Sequence, residues 1–154
     1  MIRVLFVCLG NICRSPMAES VFLHQVRAAG LENSIEVDSA GTGDWHLGNR
    51  PHEGTLEILK RNGIAEGSRA RQIRASDLSE FDYIVVMDER NLRDVGFQIG
   101  TGRAHVQRLL DYVPEIADKN VPDPYFTGDF DSVYDLVQRG CEALLAQIRA
   151  QHQL

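Results

Sequence analysis

The chain has 154 residues, of which 44% are hydrophobic and 25% are charged, proportions typical of a globular protein. This composition excludes fibrous and disordered classes, and the length predicts a single domain over residues 1–154. The 16 basic and 22 acidic residues give a net charge of −6, which argues against broad nucleic-acid binding because the phosphate backbone attracts basic surfaces.

Short apolar runs alternate along the chain with segments of helical spacing. The apolar runs predict strands buried on both faces of a sheet, at residues 2–7, 35–38, 83–87 and 106–110. The helical spacing predicts helices at residues 16–29, 51–62, 89–95 and 133–148. Segments rich in Gly, Asn, Pro or Asp predict loops at residues 8–15, 40–50 and 114–131.

The first loop ends in signals for a helix start. Ser15 is a favourable N-cap, and Pro16 is tolerated as the first helical residue because its missing N–H is not needed there. Alternating strands and helices imply parallel strands joined by right-handed crossovers. We therefore predict an α/β fold, a single doubly wound domain in which helices flank both faces of a four-stranded parallel sheet. Sites in such sheets lie at the carboxyl ends of strands, where the first loop falls.

The first loop carries residues suited to phosphoryl transfer. Cys8 and Arg14 are separated by five residues, and Ser15 follows directly. Backbone N–H groups in a loop that closes onto a helix N-terminus suit a phosphate dianion, and Arg14 can bind two of its oxygens. A cysteine thiolate, which the same positive groups favour, would be the nucleophile. Spacing alone leaves a structural alternative open, in which Cys8 is a buried strand-end residue and Ser15 caps the helix.

Residues 7–16, VCLGNICRSP, resemble the signature of the low-molecular-weight protein tyrosine phosphatases. Similar segments follow in the family's order along the whole chain, namely DSAGT at 38–42, the loop around Trp45, ARQ at 70–72, MDE at 87–89 and DPY at 123–125. The resemblance implies a protein-tyrosine phosphatase that hydrolyses phosphotyrosine and small aryl phosphates through a phospho-cysteine. It implies no metal and no cofactor.

The resemblance also implies roles for individual residues. Cys8 matches the nucleophile, Arg14 the phosphate clamp, and Asp123 the general acid and base. The phosphate-binding loop would comprise Leu9, Gly10, Asn11, Ile12, Cys13, Arg14 and Ser15. The supporting hydrogen-bond network would comprise Asn11, Ser15 and Ser39, and the aromatic walls around the substrate ring would be Trp45 and Tyr125.

Two positions depart from the family's pattern. Ser68 stands where some members carry a histidine of the supporting network, so we expect that part of the network to differ. Phe126 stands where some members carry a second tyrosine after Tyr125. Regulation through a phosphorylated tyrosine pair therefore does not transfer directly to this chain.

Cys13 lies in the same loop as Cys8, five residues further along. Peroxide oxidises a reactive thiolate first, and a neighbouring thiol can trap the sulfenic acid as a disulfide. We therefore predict that Cys13 protects Cys8 from irreversible oxidation. The alternative is that Cys13 packs beneath the loop as a small apolar residue. Cys141 lies on the apolar stripe of the last helix and is predicted to belong to the core.

The chain is predicted to be cytoplasmic. No run reaches the ~18 apolar residues of a membrane span, and the apolar run at residues 2–7 is too short for a signal peptide. Three cysteines, an odd and sparse set, favour free thiols in a reducing compartment. The expected partner is a phosphotyrosine-containing protein, with a tyrosine autokinase as one candidate. Neither nucleic acid nor membrane insertion is expected, and the protein is predicted to be a monomer or a weak homo-oligomer.

Three other functions would use a similar loop. An arsenate reductase on this scaffold would relay oxidation through further cysteines near residues 80–90, and residues 79–91 contain none. Arginine phosphatases resemble this loop but carry threonine where Ile12 stands, and the bulky Ile12 favours a flat phenol over a guanidinium. A non-catalytic phosphate-binding module would have no use for a general acid at Asp123.

Overall fold

A computed structural model describes residues 1–154 and contains four strands and six α-helices. The strands are β1 (Ile2–Cys8), β2 (Ile35–Gly41), β3 (Tyr83–Val86) and β4 (His105–Arg108). The helices are α1 (Arg14–Ala28), α2 (Glu53–Arg61), α3 (Asp77–Glu80), α4 (Glu89–Gln98), α5 (Pro124–Thr127) and α6 (Phe130–His152), with a 3-10 turn at Leu109–Tyr112. None of the helices has the length and apolar character needed to cross a membrane.

The four strands form one parallel sheet in the order β2-β1-β3-β4. The chain therefore leaves β1 in one direction to make β2 and returns past β1 to make β3, which opens a crevice at the carboxyl end of β1. Cys8, the last residue of β1, lies opposite Gly41 at the end of β2. This arrangement confirms the predicted α/β fold and places the first loop at the functional edge of the sheet.

Side chains of β1 alternate between two apolar layers, as the pleat of a strand requires. Val4 and Phe6 belong to the larger core, which α1 and α6 cover. Leu5 and Val7 belong to the smaller core on the opposite face, which receives residues of α3 and α4. Helices therefore flank both faces of the sheet, as predicted, and every residue from Val4 to Val7 is fully buried.

The start of α1 differs from the prediction. The helix begins at Arg14 rather than Pro16, and its N-cap is Cys13, which makes no side-chain capping hydrogen bond. Ser15 is not the cap because its hydroxyl bonds to Asn11 and Cys8 instead. Pro16 still lies in the first turn, where a helix does not need its N–H.

The segment 114–131, predicted to be a loop, contains α5 and the first residues of α6. Aspartates make the difference, because Asp123 accepts a hydrogen bond from the Tyr125 amide and caps α5. Asp129 likewise accepts from the amide of Ser132 and starts α6 ahead of the predicted boundary. The other elements also differ at their ends: β1 extends to residue 8, β2 to residue 41, α4 to residue 98 and α6 to residue 152. β3 ends at residue 86 and α1 at residue 28, β4 occupies 105–108, and α2 covers 53–61. The sequence pattern did not predict α3, a single turn.

Candidate active site

The loop after β1 is held by its carbonyl groups and leaves its amides free. The carbonyl oxygens of Cys8, Leu9, Ile12 and Cys13 all accept backbone hydrogen bonds from neighbouring segments. The N–H groups of residues 10–13 donate no hydrogen bond within the protein. Free amides that precede the first turn of a long helix form a concave donor site for an anion.

Asn11 gives this loop its shape. Its φ of 55° lies in the left-handed region, which asparagine tolerates better than most residues. The side chain is fully engaged: Oδ1 accepts from the Arg71 amide at 3.0 Å, and Nδ2 donates to Ser15 Oγ at 2.7 Å and Ser39 Oγ at 3.0 Å. These bonds hold the strained residue and connect the loop to β2 and to the segment that contains Arg71.

The hydroxyl of Ser15 is directed at the thiol of Cys8. Its oxygen lies 3.1 Å from Cys8 Sγ and already accepts from the amide of Asn11. The hydroxyl proton has two acceptors within reach, Cys8 Sγ and the Ala40 carbonyl at 3.5 Å, and its donation to the nearer sulfur stabilises a thiolate. Ser15 and Cys8 are both buried, so this bond is shielded from water.

Glu19 ends this network behind the loop, and sequence reasoning did not find it. Its carboxylate is buried, accepts from Ser39 Oγ at 2.5 Å, and accepts from both the amide and the hydroxyl of Ser68 at 2.9 Å. Ser39 therefore accepts from Asn11 and donates to Glu19, which fixes the direction of its hydroxyl proton. Ser68, where a histidine was noted in some relatives, supplies two neutral donors to this carboxylate.

Arg14 is buried beside the cysteine, with 2% of its surface exposed. Nη1 donates to Asp88 Oδ2 at 2.6 Å and to the Val121 carbonyl at 2.9 Å, whereas Nε has no partner. Nη2 makes one long bond of 3.4 Å to Asp123. One edge of the guanidinium is thus anchored, and the edge formed by Nε and Nη2 remains available to two oxygens of an anion.

Charge around Arg14 keeps it protonated. Burial alone would lower the pKa of Arg14, but negative charge on Cys8 and on the two carboxylates of Asp88 and Asp123 raises it above its ordinary value. A permanently charged guanidinium in a buried site attracts a phosphate strongly.

Asp123 lies at the mouth of the site as the N-cap of α5. Its Oδ1 accepts from the Tyr125 amide at 3.1 Å, and its Oδ2 faces Arg14. Because 22% of the side chain is exposed, the carboxyl group reaches both the guanidinium and solvent. Such a group can exchange protons with water and with a substrate bound beside Arg14.

A cleft of about 350 Å³ opens above Cys8. Its lining combines the loop with an apolar rim: Cys8, Leu9, Gly10, Ile12, Cys13, Trp45, His46, Asp123, Tyr125 and Phe126. Trp45 and Tyr125 are 67% and 53% exposed, so part of each side chain is accessible to a ligand. The structure thus brings the predicted nucleophile, general acid and aromatic walls into one cleft, with Arg14 next to it. Ser39 lies outside the cleft and contacts the loop through its hydrogen bond with Asn11.

Cys13 lines the same cleft as Cys8 but has a different character. Burial, followed by the nearby charges of Cys8 and Asp123, raises the pKa of Cys13 to about 12. At neutral pH Cys13 is therefore a thiol and a weak nucleophile. Cys141 is fully buried in the core, as the sequence predicted, and all three cysteines are free.

Residues 3–154 match the family described as low molecular weight phosphotyrosine protein phosphatase. The chain belongs to this family. It is a protein-tyrosine phosphatase, a hydrolase whose substrates are phosphoproteins and whose chemistry is cysteine-based. The sequence-based family assignment and the predicted activity are thereby confirmed.

Several relatives cover nearly the whole phosphatase. The low molecular weight protein-tyrosine-phosphatase YfkJ of Bacillus subtilis is 53% identical over 156 residues, covering 100% of both chains. The crystal structure of YfkJ has a TM-score of 0.95 and covers 98% of this chain and 96% of that one. The low molecular weight phosphotyrosine protein phosphatase of Schizosaccharomyces pombe is 52% identical, and the match covers 82% of this chain and 83% of that one. The crystal structure of a Drosophila arginine phosphatase is 34% identical, with a TM-score of 0.89 over 96% of this chain and 98% of that one.

Sequence reasoning missed two carboxylates that organise this phosphatase site. Asp88 follows β3 at the carboxyl edge of the sheet, the position where site residues are expected, and it anchors Arg14. Glu19 lies beside Ala18 on α1 and close to the apolar residues Val21 and Phe22, and is itself buried. A charged residue within an apolar stripe was the available signal for Glu19.

Proposed function

We propose that Cys8 is the nucleophile of this phosphatase, with Arg14 as phosphate clamp and Asp123 as general acid and base. The observation that carries the proposal is the Nε–Nη2 edge of the buried Arg14, which lies next to the free loop amides and the thiol of Cys8. Nε has no partner, and Nη2 has only the long bond of 3.4 Å to Asp123. These donors converge on one small anion-sized site above a sulfur nucleophile.

In the first step the Cys8 thiolate attacks phosphorus and the bond from phosphorus to the phenol oxygen breaks. The carboxyl group of Asp123 gives its proton to the leaving oxygen, so a neutral phenol departs. Arg14 and the loop amides stabilise the negative charge on the equatorial oxygens of the transferring group. The product of this step is a phospho-cysteine.

In the second step Asp123, now a carboxylate, takes a proton from water as that water attacks phosphorus. The bond between sulfur and phosphorus breaks and releases phosphate and the Cys8 thiolate. The hydroxyl of Ser15, 3.1 Å from the sulfur, donates to the thiolate as it departs. The network from Asn11 through Ser39 to Glu19 keeps that hydroxyl pointed at the sulfur.

The apolar rim supports a flat aromatic leaving group. Trp45 and Tyr125 present exposed rings at the mouth, and Ile12 lines the cleft beside the loop. Aromatic walls gain free energy from covering a phenol ring, whereas the bulky, apolar Ile12 offers no hydrogen-bond partner to a guanidinium. The site therefore supports phosphotyrosine over phosphoarginine.

The proposal extends to the domain organisation, oligomeric state, cellular compartment and substrate of the phosphatase. We propose that residues 1–154 fold as one domain, act as a monomer or weak homo-oligomer, and work in the cytoplasm, where free cysteines persist. We also propose that the substrate is a phosphotyrosine-containing protein, with a tyrosine autokinase as one candidate.

Substrate preference can be tested with matched peptides that carry phosphotyrosine, phosphoserine or phosphoarginine at the same position. We expect kcat/KM to be highest on phosphotyrosine, because it alone places an aromatic ring between Trp45 and Tyr125 at the cleft mouth. An assay of released phosphate measures all three in parallel. Faster release from phosphoarginine than from phosphotyrosine would overturn the proposed specificity.

Cys13 is proposed to protect the nucleophile from peroxide. The Cys8 thiolate attacks one peroxide oxygen, the O–O bond breaks, and hydroxide departs. Cys8 is then a neutral sulfenic acid. That change removes one of the nearby charges that hold the pKa of Cys13 high. Cys13 then attacks the sulfenic sulfur, so that a disulfide forms and water leaves.

Peroxide treatment followed by a dithiol reductant tests this role. The wild-type enzyme is expected to recover its full starting activity, because the disulfide is reducible and sulfinic acid is not. Cys13→Ser is expected to recover only a small part of its own starting activity. If this variant recovers as completely as the wild type, or if mass spectrometry of oxidised protein finds no Cys8–Cys13 bond, Cys13 is a packing residue only.

A further inference from the structure

The short helix that carries Tyr125 is not sufficient to hold its ring in place. Tyr125 lies on α5, which has only four residues, and its ring is 53% exposed. Its ring packs against Phe126, which is itself 75% exposed, and against two histidines, His46 at 6.2 Å and His52 at 6.1 Å between ring centroids. The position of Tyr125 therefore depends on the side chains around it.

His52 is the neighbour with the firmest attachment. Its backbone N–H donates to the carbonyl of Ile12 in the phosphate-binding loop at 2.7 Å. Its ring Nδ1 accepts from the amide of Gly54 at 3.0 Å and caps α2. The same ring stacks on Phe130 of α6, with centroids 5.1 Å apart and planes at 21°, and meets Tyr125 edge-on at 78°. One residue thus links the loop to the Tyr125 ring.

Gly54 makes room for this stack. A Cβ atom at position 54 would overlap Cε2 of Phe130, so any larger residue would push Phe130 away from α2. Glycine in a helix costs about 1 kcal/mol relative to alanine. At this position Gly54 allows the Phe130 ring to stack on the ring of His52.

Histidine is an unusual choice for a helix cap. Ser, Thr, Asp and Asn dominate N-cap positions because a short side chain with an oxygen is sufficient. None of these has a ring that could reach Tyr125 and Phe130 while it caps. His52 combines a cap with an aromatic contact, and the cap fixes which way its ring faces.

We propose that His52 is a positioning residue that sets the distance of the Tyr125 ring from the phosphate-binding loop and thereby sets the affinity for aryl phosphates. The inference rests on the proposed role of Tyr125 as a wall of the cleft. Loss of the ring at position 52 frees Tyr125 to move, which weakens binding of a phenol. It leaves the phosphate site and the hydrolysis of the phospho-cysteine untouched, because neither contains the phenol.

Two substitutions separate the cap from the ring. His52→Asn keeps an acceptor for the Gly54 amide but removes the ring, and His52→Phe keeps a ring but removes the acceptor. We expect His52→Asn to raise KM for phenyl phosphate about two- to tenfold, the range of one aromatic contact. Its kcat and the inhibition constant of inorganic phosphate should match the wild type. His52→Phe should raise KM less than His52→Asn does, because a ring remains beside Tyr125, and it should lose several degrees in Tm through loss of the cap. His24→Asn, at an exposed position of α1, is the matched control and should change none of these values.

Tyr125→Ala, alone and combined with His52→Asn, completes the test. We expect Tyr125→Ala to raise KM and His52→Asn to add nothing in that background, because its effect passes through Tyr125. If Tyr125→Ala raises KM but His52→Asn does not, the proposed role of His52 is wrong, whereas the proposed role of Tyr125 as a wall of the cleft is supported. If Tyr125→Ala has no effect, both the wall and the role of His52 fail. An increase in the phosphate inhibition constant for His52→Asn equal to that in KM would also overturn the proposal, because His52 would then act through the loop.

Discussion

Cys8→Ser is expected to abolish turnover while the protein still binds inorganic phosphate. A serine hydroxyl is a much weaker nucleophile than a thiolate, and the loss of a covalent nucleophile costs far more than about a hundredfold in kcat. Phosphate binding depends on Arg14 and the loop amides, which the substitution leaves in place. Steady-state hydrolysis of nitrophenyl phosphate and calorimetric titration with phosphate measure the two effects.

Cys141→Ala provides the control for removal of a thiol, because Cys141 is buried in the core away from the cleft. It should retain turnover. A metal chelator should leave the wild-type rate unchanged, since no step above uses a metal. A Cys8→Ser variant that retains more than about a hundredth of wild-type turnover would contradict the role of Cys8.

Asp123→Asn is expected to slow the hydrolysis of phenyl phosphate far more than the hydrolysis of nitrophenyl phosphate. Protonation of the leaving oxygen is essential for a basic phenolate and nearly dispensable for nitrophenolate, which departs as a stable anion. General acid catalysis contributes typically ~10²–10⁴-fold, so we expect a loss in that range for phenyl phosphate. Comparison of kcat/KM on the two esters isolates the first step, in which the phenol leaves.

Asparagine at position 123 can still accept from the Tyr125 amide, so the cap of α5 should survive. Asp129→Asn is the matched control, because Asp129 is also a capping aspartate, at the start of α6 and outside the cleft. Asp129→Asn should leave kcat/KM unchanged on both esters. Equal losses on the two esters for Asp123→Asn would show that Asp123 is structural or that another residue is the acid.

The fold was predictable because its signals are local and repeated. The run from Val4 to Val7 is apolar without alternation, which is typical of a strand covered on both faces, and the regular stripe from Val133 to Ile148 is typical of a long packed helix. Helix boundaries failed where side chains had other partners. Ser15 has the composition of an N-cap, but a buried thiol and an amide compete for its hydroxyl.

The site was predictable only in part from residue types. Cys8 and Arg14 share one loop, so their spacing already indicates a phosphate site. Asp123 lies more than a hundred residues away among other loop aspartates, and only the family resemblance singled it out. Asp88 and Glu19 have no distinctive spacing, because their roles arise from three-dimensional contacts with Arg14 and Ser39.

The contribution of His52 could not be predicted from sequence. Neither Gly54 nor Phe130 suggests a stack on its own, since they lie on different helices that meet only in the folded protein. The contact also depends on how closely two backbones approach, a quantity that no residue pattern encodes.

Rapid quenching of the enzyme during turnover of nitrophenyl phosphate, followed by peptide mass spectrometry, tests the central claim most directly. The proposed mechanism requires a phosphoryl group bonded to sulfur, so we expect one phosphate on the peptide that contains Cys8. The modification should be absent in Cys8→Ser and should accumulate within the first turnover of the wild type. Turnover at the full rate with no phosphate on Cys8, or with phosphate on another residue, would contradict the account.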